Sequence, residues 1–350
     1  MVISRLFRSS VLAVAALSVS ALTPAADATP AHRTLPAHVF SPYFQSYNPG
    51  DPATQALESG ARFVNMAFLQ TEVTGSCDVL WNGDPKTPVS YGFYGESINR
   101  LRAHGGDVAI AFGGGSASGL NTDIADSCTD VDKIAAEFQR VVTTYDITRI
   151  DLDVEGGMLK KPEGVDRRNK AIAKLQTWAH RAGRPLEVVY TLPAGPKGLE
   201  QESIDLLANA ITNNTKVDIV NIMTFDYWDG KHHDMTADTM TAAQGLVDTL
   251  RTLYPQRTQR QLWNMVGVTE MIGMDDYGCC GETGPPEIFT PLDSLKVTAW
   301  AWRKGIAELS FWALGRDNGN CPGQHSGDCS GVEQTQWQYS RTMSLFTHTW

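Results

Sequence analysis

Ile150-Asp151-Leu152-Asp153-Val154-Glu155-Gly156-Gly157 alternates apolar and acidic residues and then halts at two glycines. Successive side chains of a strand point to opposite faces. Asp151, Asp153 and Glu155 therefore share one face, and Ile150, Leu152 and Val154 share the other. Three carboxylates in a row are costly to bury unless their chemistry is used. Like charges about 6–7 Å apart along a strand raise at least one pKa and lead the set to share protons. Such a set can supply a protonated general acid near neutral pH. Two other readings fit the residues alone: a solvent-facing edge strand with an acidic face, or a carboxylate site for Mg or Ca. The apolar second face and the glycine pair favour a buried strand with Glu155 at its C-terminal end.

Seven further apolar runs flank this one: Val39–Gln45, Arg62–Leu69, Asp107–Gly113, Leu186–Leu192, Val217–Phe225, Leu262–Met271 and Glu308–Leu314, with Thr148–Glu155 fourth in order. Stretches of helical period lie between most of them: Ile98–Ala103, Val131–Tyr145, Val165–Ala182, Gln201–Ile211, Thr236–Leu253 and Leu292–Lys304. Thr129-Asp130 supplies cap residues for the second of these, and a last helix is expected over Glu333–Phe346. Val188-Val189-Tyr190 and Ile219-Val220-Asn221-Ile222-Met223 are continuously apolar or nearly so, as in parallel strands buried on both faces. Eight strands alternating with helices predict an α/β fold, the (β/α)8 TIM barrel, with working residues at the C-terminal rim of the strands. A doubly wound sheet would place a Gly-rich phosphate turn after the first strand, and Ser41-Pro42-Tyr43-Phe44 is not one.

The chain has 350 residues, of which 42% are hydrophobic and 19% charged, too apolar for a disordered chain. No linker or repeat divides it, so one catalytic domain is expected over residues 29–350. The formal charge is −10, which disfavours nucleic acid and anionic membrane surfaces as partners. Residues 1–28 read as a signal peptide: Arg5 and Arg8, the apolar run Val11–Leu22, then Ala26 and Ala28 at the −3 and −1 positions of a cleavage site. The expectation is a secreted, extracellular monomer. Export permits disulfides among Cys77, Cys128, Cys279, Cys280, Cys321 and Cys329. Cys321 and Cys329 close a short loop and form a natural pair, with Cys77 and Cys128 next. The adjacent Cys279-Cys280 are either bonded to each other or free. No Cys-x-x-Cys or paired His spacing points to a metal, and His232-His233 reads as a solvated loop doublet.

Asp151-x-Asp153-x-Glu155 resembles the D-x-D-x-E signature of the family-18 glycoside hydrolases, the chitinases. Four other segments are similar to that family's pattern in the same order. Ala111-Phe112-Gly113-Gly114 resembles its S-x-G-G on strand three. Tyr190-Thr191-Leu192-Pro193 resembles its strand five. Asn221-Ile222-Met223-Thr224-Phe225-Asp226-Tyr227 resembles its M-x-Y-D on strand six, and Phe311-Trp312-Ala313-Leu314 its Trp-bearing strand eight. Two places depart. Thr148 and Arg149 stand where the longer signature begins with Asp-Gly, and Phe225 stands at the usual Tyr position, with Tyr227 two residues on.

The resemblance implies a secreted chitinase that cuts β-1,4 bonds of chitin or chito-oligosaccharides with retention. In that scheme the substrate's acetamido oxygen is the nucleophile, an exception to the two-carboxylate mechanism. Glu155 would be the proton donor, Asp153 would orient the acetamido group, and Asp151 would share a proton with Asp153. Asp226, Tyr227 and Met223 would contact substrate, Trp312 would floor the −1 site, and Gly113 and Gly114 would admit the sugar close to the backbone. No metal and no organic cofactor is implied. The alternatives are an endo-β-N-acetylglucosaminidase acting on N-glycans, which shares the carboxylate motif, and a non-catalytic chitin-binding lectin on the same barrel, which usually lacks the Glu that Glu155 supplies here. Tyr43, Trp81, Tyr227 and Trp228 lie after strands one, two and six, where they either extend the cleft or serve ordinary packing; Trp81 is the first to test, and Glu270 is a weaker candidate.

Overall fold

All eight apolar runs enter one closed parallel sheet. In chain order β1 comprises Val39–Phe40 and Tyr43–Gln45, β2 is Phe63–Thr71, β3 Asp107–Gly113, β4 Arg149–Asp153, β5 Glu187–Gly195, β6 Ile219–Met223, β7 Val266–Met271 and β8 Glu308–Trp312. Each strand pairs in parallel with the next. The ring closes through β1. Val39–Phe40 pairs with Glu308–Leu309 of β8, while Tyr43–Gln45 pairs with Asn65–Ala67 of β2. Pro42, which lacks an N–H to donate, marks the break between the two halves. The structure, a computed structural model, describes Met1, residues 34–276 and residues 284–348. The leader expected over residues 1–28, Met1 apart, and the Cys279-Cys280 pair lie outside the described residues.

The helices between the strands form the outer layer of a (β/α)8 barrel. Their sequences explain their ends. Asp130 accepts hydrogen bonds from the backbone N–H groups of Asp132 and Lys133, capping Val131–Tyr145. That helix buries Ile134, Phe138, Val141, Val142 and Tyr145, one stripe at helical spacing. Pro162 opens Pro162–Arg181 at a position where a missing N–H costs nothing. Between these layers Ile150, Leu152 and Val154 of β4 are at most 2% exposed and pack outward into the core.

Some boundaries move for identifiable reasons. Leu262 and Trp263 belong to the short helix Gln259–Trp263, whose capping box joins Thr258 and Gln261, so β7 starts later than its apolar run. The last helix divides into Gln338–Met343 and Leu345–His348. An antiparallel strand, Val79–Trp81, pairs with the end of β2. It carries Trp81 into the core, where the side chain is fully buried and its Nε1 donates to the Tyr145 hydroxyl at 3.0 Å. Trp81 therefore holds the barrel wall and is not a rim aromatic.

Arg149, at the place of a glycine in the longer signature, faces into the barrel at the N-terminal end. It is 1% exposed and bonds Glu187 Oε2 at 2.8 Å and Glu308 Oε2 at 3.1 Å. Glu308 also accepts from Asn65 at 2.8 Å. The Cys77–Cys128 bond ties the loop after β2 to the segment after β3, and Cys321–Cys329 closes a loop after β8.

The burial of Trp81 gives a measurable expectation. Trp81→Ala should lower unfolding free energy by roughly 3–5 kcal/mol, the usual cost of deleting a buried aromatic. A denaturant titration in which the midpoint stays at the wild-type value would contradict the packing described.

Candidate active site

The face of β4 determines the site. Its alternation persists beyond the paired residues, because the Val154 N–H donates to Thr191 O at 2.9 Å and Glu155 stays extended at φ −138°. Asp153 and Glu155 thereby line a cleft of about 560 Å³ at the C-terminal rim of the barrel. Asp151 lies one level deeper and is 1% exposed. Both its oxygens are taken: Oδ2 accepts from the Tyr43 hydroxyl at 2.6 Å and Oδ1 from Thr191 Oγ1 at 2.7 Å. Asn221 Nδ2 donates to Thr191 at 3.0 Å and Thr269 at 2.7 Å, extending the polar layer across the barrel.

Glu155 is held from outside by the helix that follows β3. Ser118, on the short helix Gly114–Leu120, donates to the Glu155 carbonyl and accepts from the Gly157 N–H, both at 2.9 Å. A Cβ at Gly113 (φ +97°) would stand 2.1 Å from the Asp153 carbonyl. One at Gly114 (φ +84°) would stand 2.6 Å from the Phe68 ring. These glycines serve the approach of β3 to its neighbours and do not line the cleft. Gly115 lines it instead, with its Cβ direction 3.6 Å from a Glu155 oxygen.

Trp312 lines the cleft, and its ring stacks on Phe68 at 5.5 Å between centroids with an interplanar angle of 14°. Tyr43 borders the same surface, with its ring centroid 5.7 Å from that of Trp312. Met223, Phe225 and Asp226 reach the cleft from the end of β6. Tyr227 does not. The backbone passes through φ +53° at Asp226, which turns the next side chain away. The Tyr227 ring packs 4.9 Å from His233, and its hydroxyl is buried. Trp228 is 46% exposed and outside the cleft lining. Glu270 is fully buried and accepts from Thr239 at 2.7 Å, so it too lies away from the cleft.

Other lining residues come from outside the quoted motifs: Gln45, Tyr47, Gln70, Asn82, and a group from distant segments, Asp276, Arg316, His325 and Gly327. Gln70 and Asn82 sit at or beyond the end of β2, a position that the rim rule alone picks out. No local pattern marks the distant group. Arg316 is 1% exposed and donates to the carbonyls of Ile272, Met274 and Ser326.

Burial governs the electrostatics. It lifts the Glu155 carboxyl to about 7, with the Asp276 charge adding to the effect. Asp151 rises to about 7 by burial, against the hydrogen bonds from Tyr43 and Thr191. Asp153 is also pushed well above the ordinary carboxylate range, by burial and then by the charges of Glu155 and Asp151. Asp226 reaches about 8, by burial and then by Asp276 and Asp275. The cleft floor thus holds carboxyls that retain protons near neutral pH. Among the described residues no group of three or more His, Cys, Asp or Glu is placed to hold a metal ion.

Each of these carboxyls favours its proton more in the folded than in the unfolded chain. The stability they contribute is complete in acid, below the ordinary carboxylate range, and is lost as pH rises through 7 to 8. Asp226→Asn removes that loss at one position. Its thermal midpoint relative to wild type should therefore climb between pH 4 and pH 8. A difference that stays constant across that range would count against a protonated Asp226.

Residues 39–278 match the family described as Glycosyl hydrolases family 18. A probable bifunctional chitinase/lysozyme of Escherichia coli (strain K12) is 28% identical over 294 residues, 81% of this chain and 31% of that protein. Endochitinase 11 of Metarhizium anisopliae is 26% identical over 295 residues, 81% of this chain and 53% of that protein. The chain thus spans about a third and about half of these two relatives. The catalytic domain of a hyperthermophilic chitinase from Pyrococcus furiosus superimposes with a TM-score of 0.78 at 25% identity, covering 91% of this chain and 98% of that one. With the carboxylate strand, the closed barrel and the family match in agreement, this chain belongs to glycosyl hydrolase family 18.

Proposed function

We propose that the chain hydrolyses β-1,4 bonds between N-acetylglucosamine units of chitin or chito-oligosaccharides, with retention and with the substrate's acetamido group as nucleophile. One observation carries this reading. Asp153 and Glu155 lie on one face at the cleft floor, and Asp153 Oδ1 is buried without a hydrogen-bond partner. A buried carboxylate oxygen in that state has a strong preference for a donor such as an amide N–H. The names of the two curated relatives and of the archaeal domain support the same substrate class.

The proposed steps are these. Glu155, its carboxyl pushed up to about 7, gives its proton in its protonated form to the glycosidic oxygen as the bond to C1 breaks. The acetamido oxygen attacks C1 from the other face and forms an oxazolinium ring, whose N–H bonds Asp153. Water then attacks C1, Glu155 takes its proton, and the ring reopens. Asp151, fixed by Tyr43 and Thr191, shares charge with Asp153, so the set titrates together. Asp226, still protonated near neutrality, donates to the acetamido oxygen. With Phe225 at the usual Tyr place and Tyr227 turned away, Asp226 makes that contact alone. Trp312, backed by Phe68, floors the sugar.

The chain is further proposed to be exported, with residues 1–28 as leader and a single catalytic domain from 29, acting as an extracellular monomer. The basic start, the apolar run and the small residues at 26 and 28 support this, as do the two disulfides, which persist in oxidising compartments. Among the described residues no helix is long and apolar enough to cross a membrane.

Glu155→Gln should lower turnover by about 10²–10⁴ or more, the usual worth of general acid catalysis, while oligomer binding by calorimetry survives. Near-wild-type turnover would remove Glu155 from its role. Proton NMR of the first products from an N-acetylglucosamine oligomer should show the β-anomer, because two inversions occur at one carbon. The α-anomer as first product would mean direct attack by water. A high-mannose glycopeptide cut faster than chito-oligomers would move the activity to N-glycans.

A further inference from the structure

Asp276 follows the short strand Gly273–Met274 and lines the cleft together with Glu155 and Asp226. Its backbone N–H donates to Asp226 Oδ1 at 3.3 Å. Its own Oδ1 lies 2.8 Å from Nε2 of His325, and against a carboxylate it is the nitrogen that donates. His325 stands inside the loop closed by Cys321–Cys329. Contacts on three sides fasten that loop to the rim. Arg316 Nη1 donates to Ser326 O at 2.8 Å, Asn48 Nδ2 to Asp328 Oδ1 at 3.3 Å, and Gln45 Nε2 to Gly327 O at 3.4 Å.

The placement is specific. The carboxylate stays 38% exposed, and His325 is its described hydrogen-bond partner. Arg316, the buried cation nearby, directs its terminal nitrogens to backbone carbonyls. The charged and titratable groups facing Asp276 are Glu155 from β4, Asp226 from β6, Asp275 beside it, Tyr47 after β1, and Arg316 and His325 after β8. Those facing Glu155 are Asp153 on its own strand and Asp276.

We propose that Asp276 is a positioning residue for the general acid: held at the cleft by His325 on the disulfide-closed loop, its negative charge keeps the Glu155 proton in place toward neutral pH. This rests on the reading of Glu155 as proton donor. A like charge beside a buried carboxyl disfavours its ionised form, and here the charge comes from a residue that need not itself touch the reacting bond. Burial supplies the larger push on Glu155, and Asp276 the next. The same charge acts on Asp226, the proposed donor to the acetamido oxygen. The loop would thereby do more than wall the cleft. It fixes the position of one charge relative to two protonated carboxyls.

The alkaline limb of kcat/KM against pH reports loss of the acid's proton from the free enzyme. On chito-oligosaccharides, Asp276→Asn should move that limb to lower pH by roughly half a unit or more. Asp276→Glu should move it back toward wild type. His325→Ala should move it the same way as Asp276→Asn, by less, and the double variant should add nothing to Asp276→Asn, because the histidine acts through the carboxylate. Should Asp276→Asn fail to fold, His325→Ala and a carbon-13 titration of the Glu155 carboxyl in that variant read the same shift. An unmoved limb in a variant that still hydrolyses overturns the proposal and leaves the role of Glu155 intact. An additive double variant overturns the holding role of His325. A wild-type protein that cleaves no chito-oligosaccharide at any pH overturns the functional reading itself, and this inference with it.

Discussion

Four ionisable side chains on one face of β4 point into a closed barrel, and the rest of the molecule is arranged to make that tolerable. Removing a charge from water costs several kcal/mol even after relaxation. Each level of the strand meets the cost differently. At the base Arg149 is paired with two glutamates. One level up, Asp151 accepts from a tyrosine and a threonine. Above it, Asp153 and Glu155 have no cation beside them, and burial pushes both carboxyls upward. The column passes from full ionic pairing to unmet demand over the length of one strand. The unmet end is where a substrate can be bound and protonated.

Precision at that end depends on how closely β3 approaches β4. Gly113 and Gly114 have no side chain where one would collide with the Asp153 carbonyl and the Phe68 ring. Ser118 then fastens the corner after Glu155 with two hydrogen bonds. Glu155, the proposed acid, is therefore located by contacts to its own backbone and not by a long flexible support, which suits a proton transfer that tolerates little misplacement. The aromatic floor follows the same logic: Phe68 from β2 and Trp312 from β8 support each other across the interrupted β1.

The fold and the carboxylate face were legible because both rest on local periodicity. Alternation at 150–155 fixes a face whatever the surroundings, and continuous apolar runs between amphipathic helices imply a parallel sheet covered on both sides. What was not legible depends on backbone turns and remote partners. Tyr227 sits one residue beyond a left-handed Asp226, and nothing in the letters announces that turn. Trp81 resembles a loop aromatic until Val79–Trp81 pairs with β2 and draws it inward. Asp276, Arg316 and His325 have ordinary neighbours in sequence, and they meet only because a loop after the last strand folds back over the rim. Gly113-Gly114 stands out in the letters, and in the fold both glycines allow close approach to Asp153 and Phe68 and lie outside the cleft lining.

The split first strand has a consequence for how such a chain comes into being. Val39–Phe40 has its partner in Glu308–Leu309, almost at the other end of the polypeptide. Until that last strand is available, a growing chain carries two open sheet edges and cannot complete the ring. Contacts of such long sequence separation form late and slowly. A C-terminal truncation that removes β8 would leave β7 and the first half of β1 as unpaired templates for other chains, with aggregation as the expected fate.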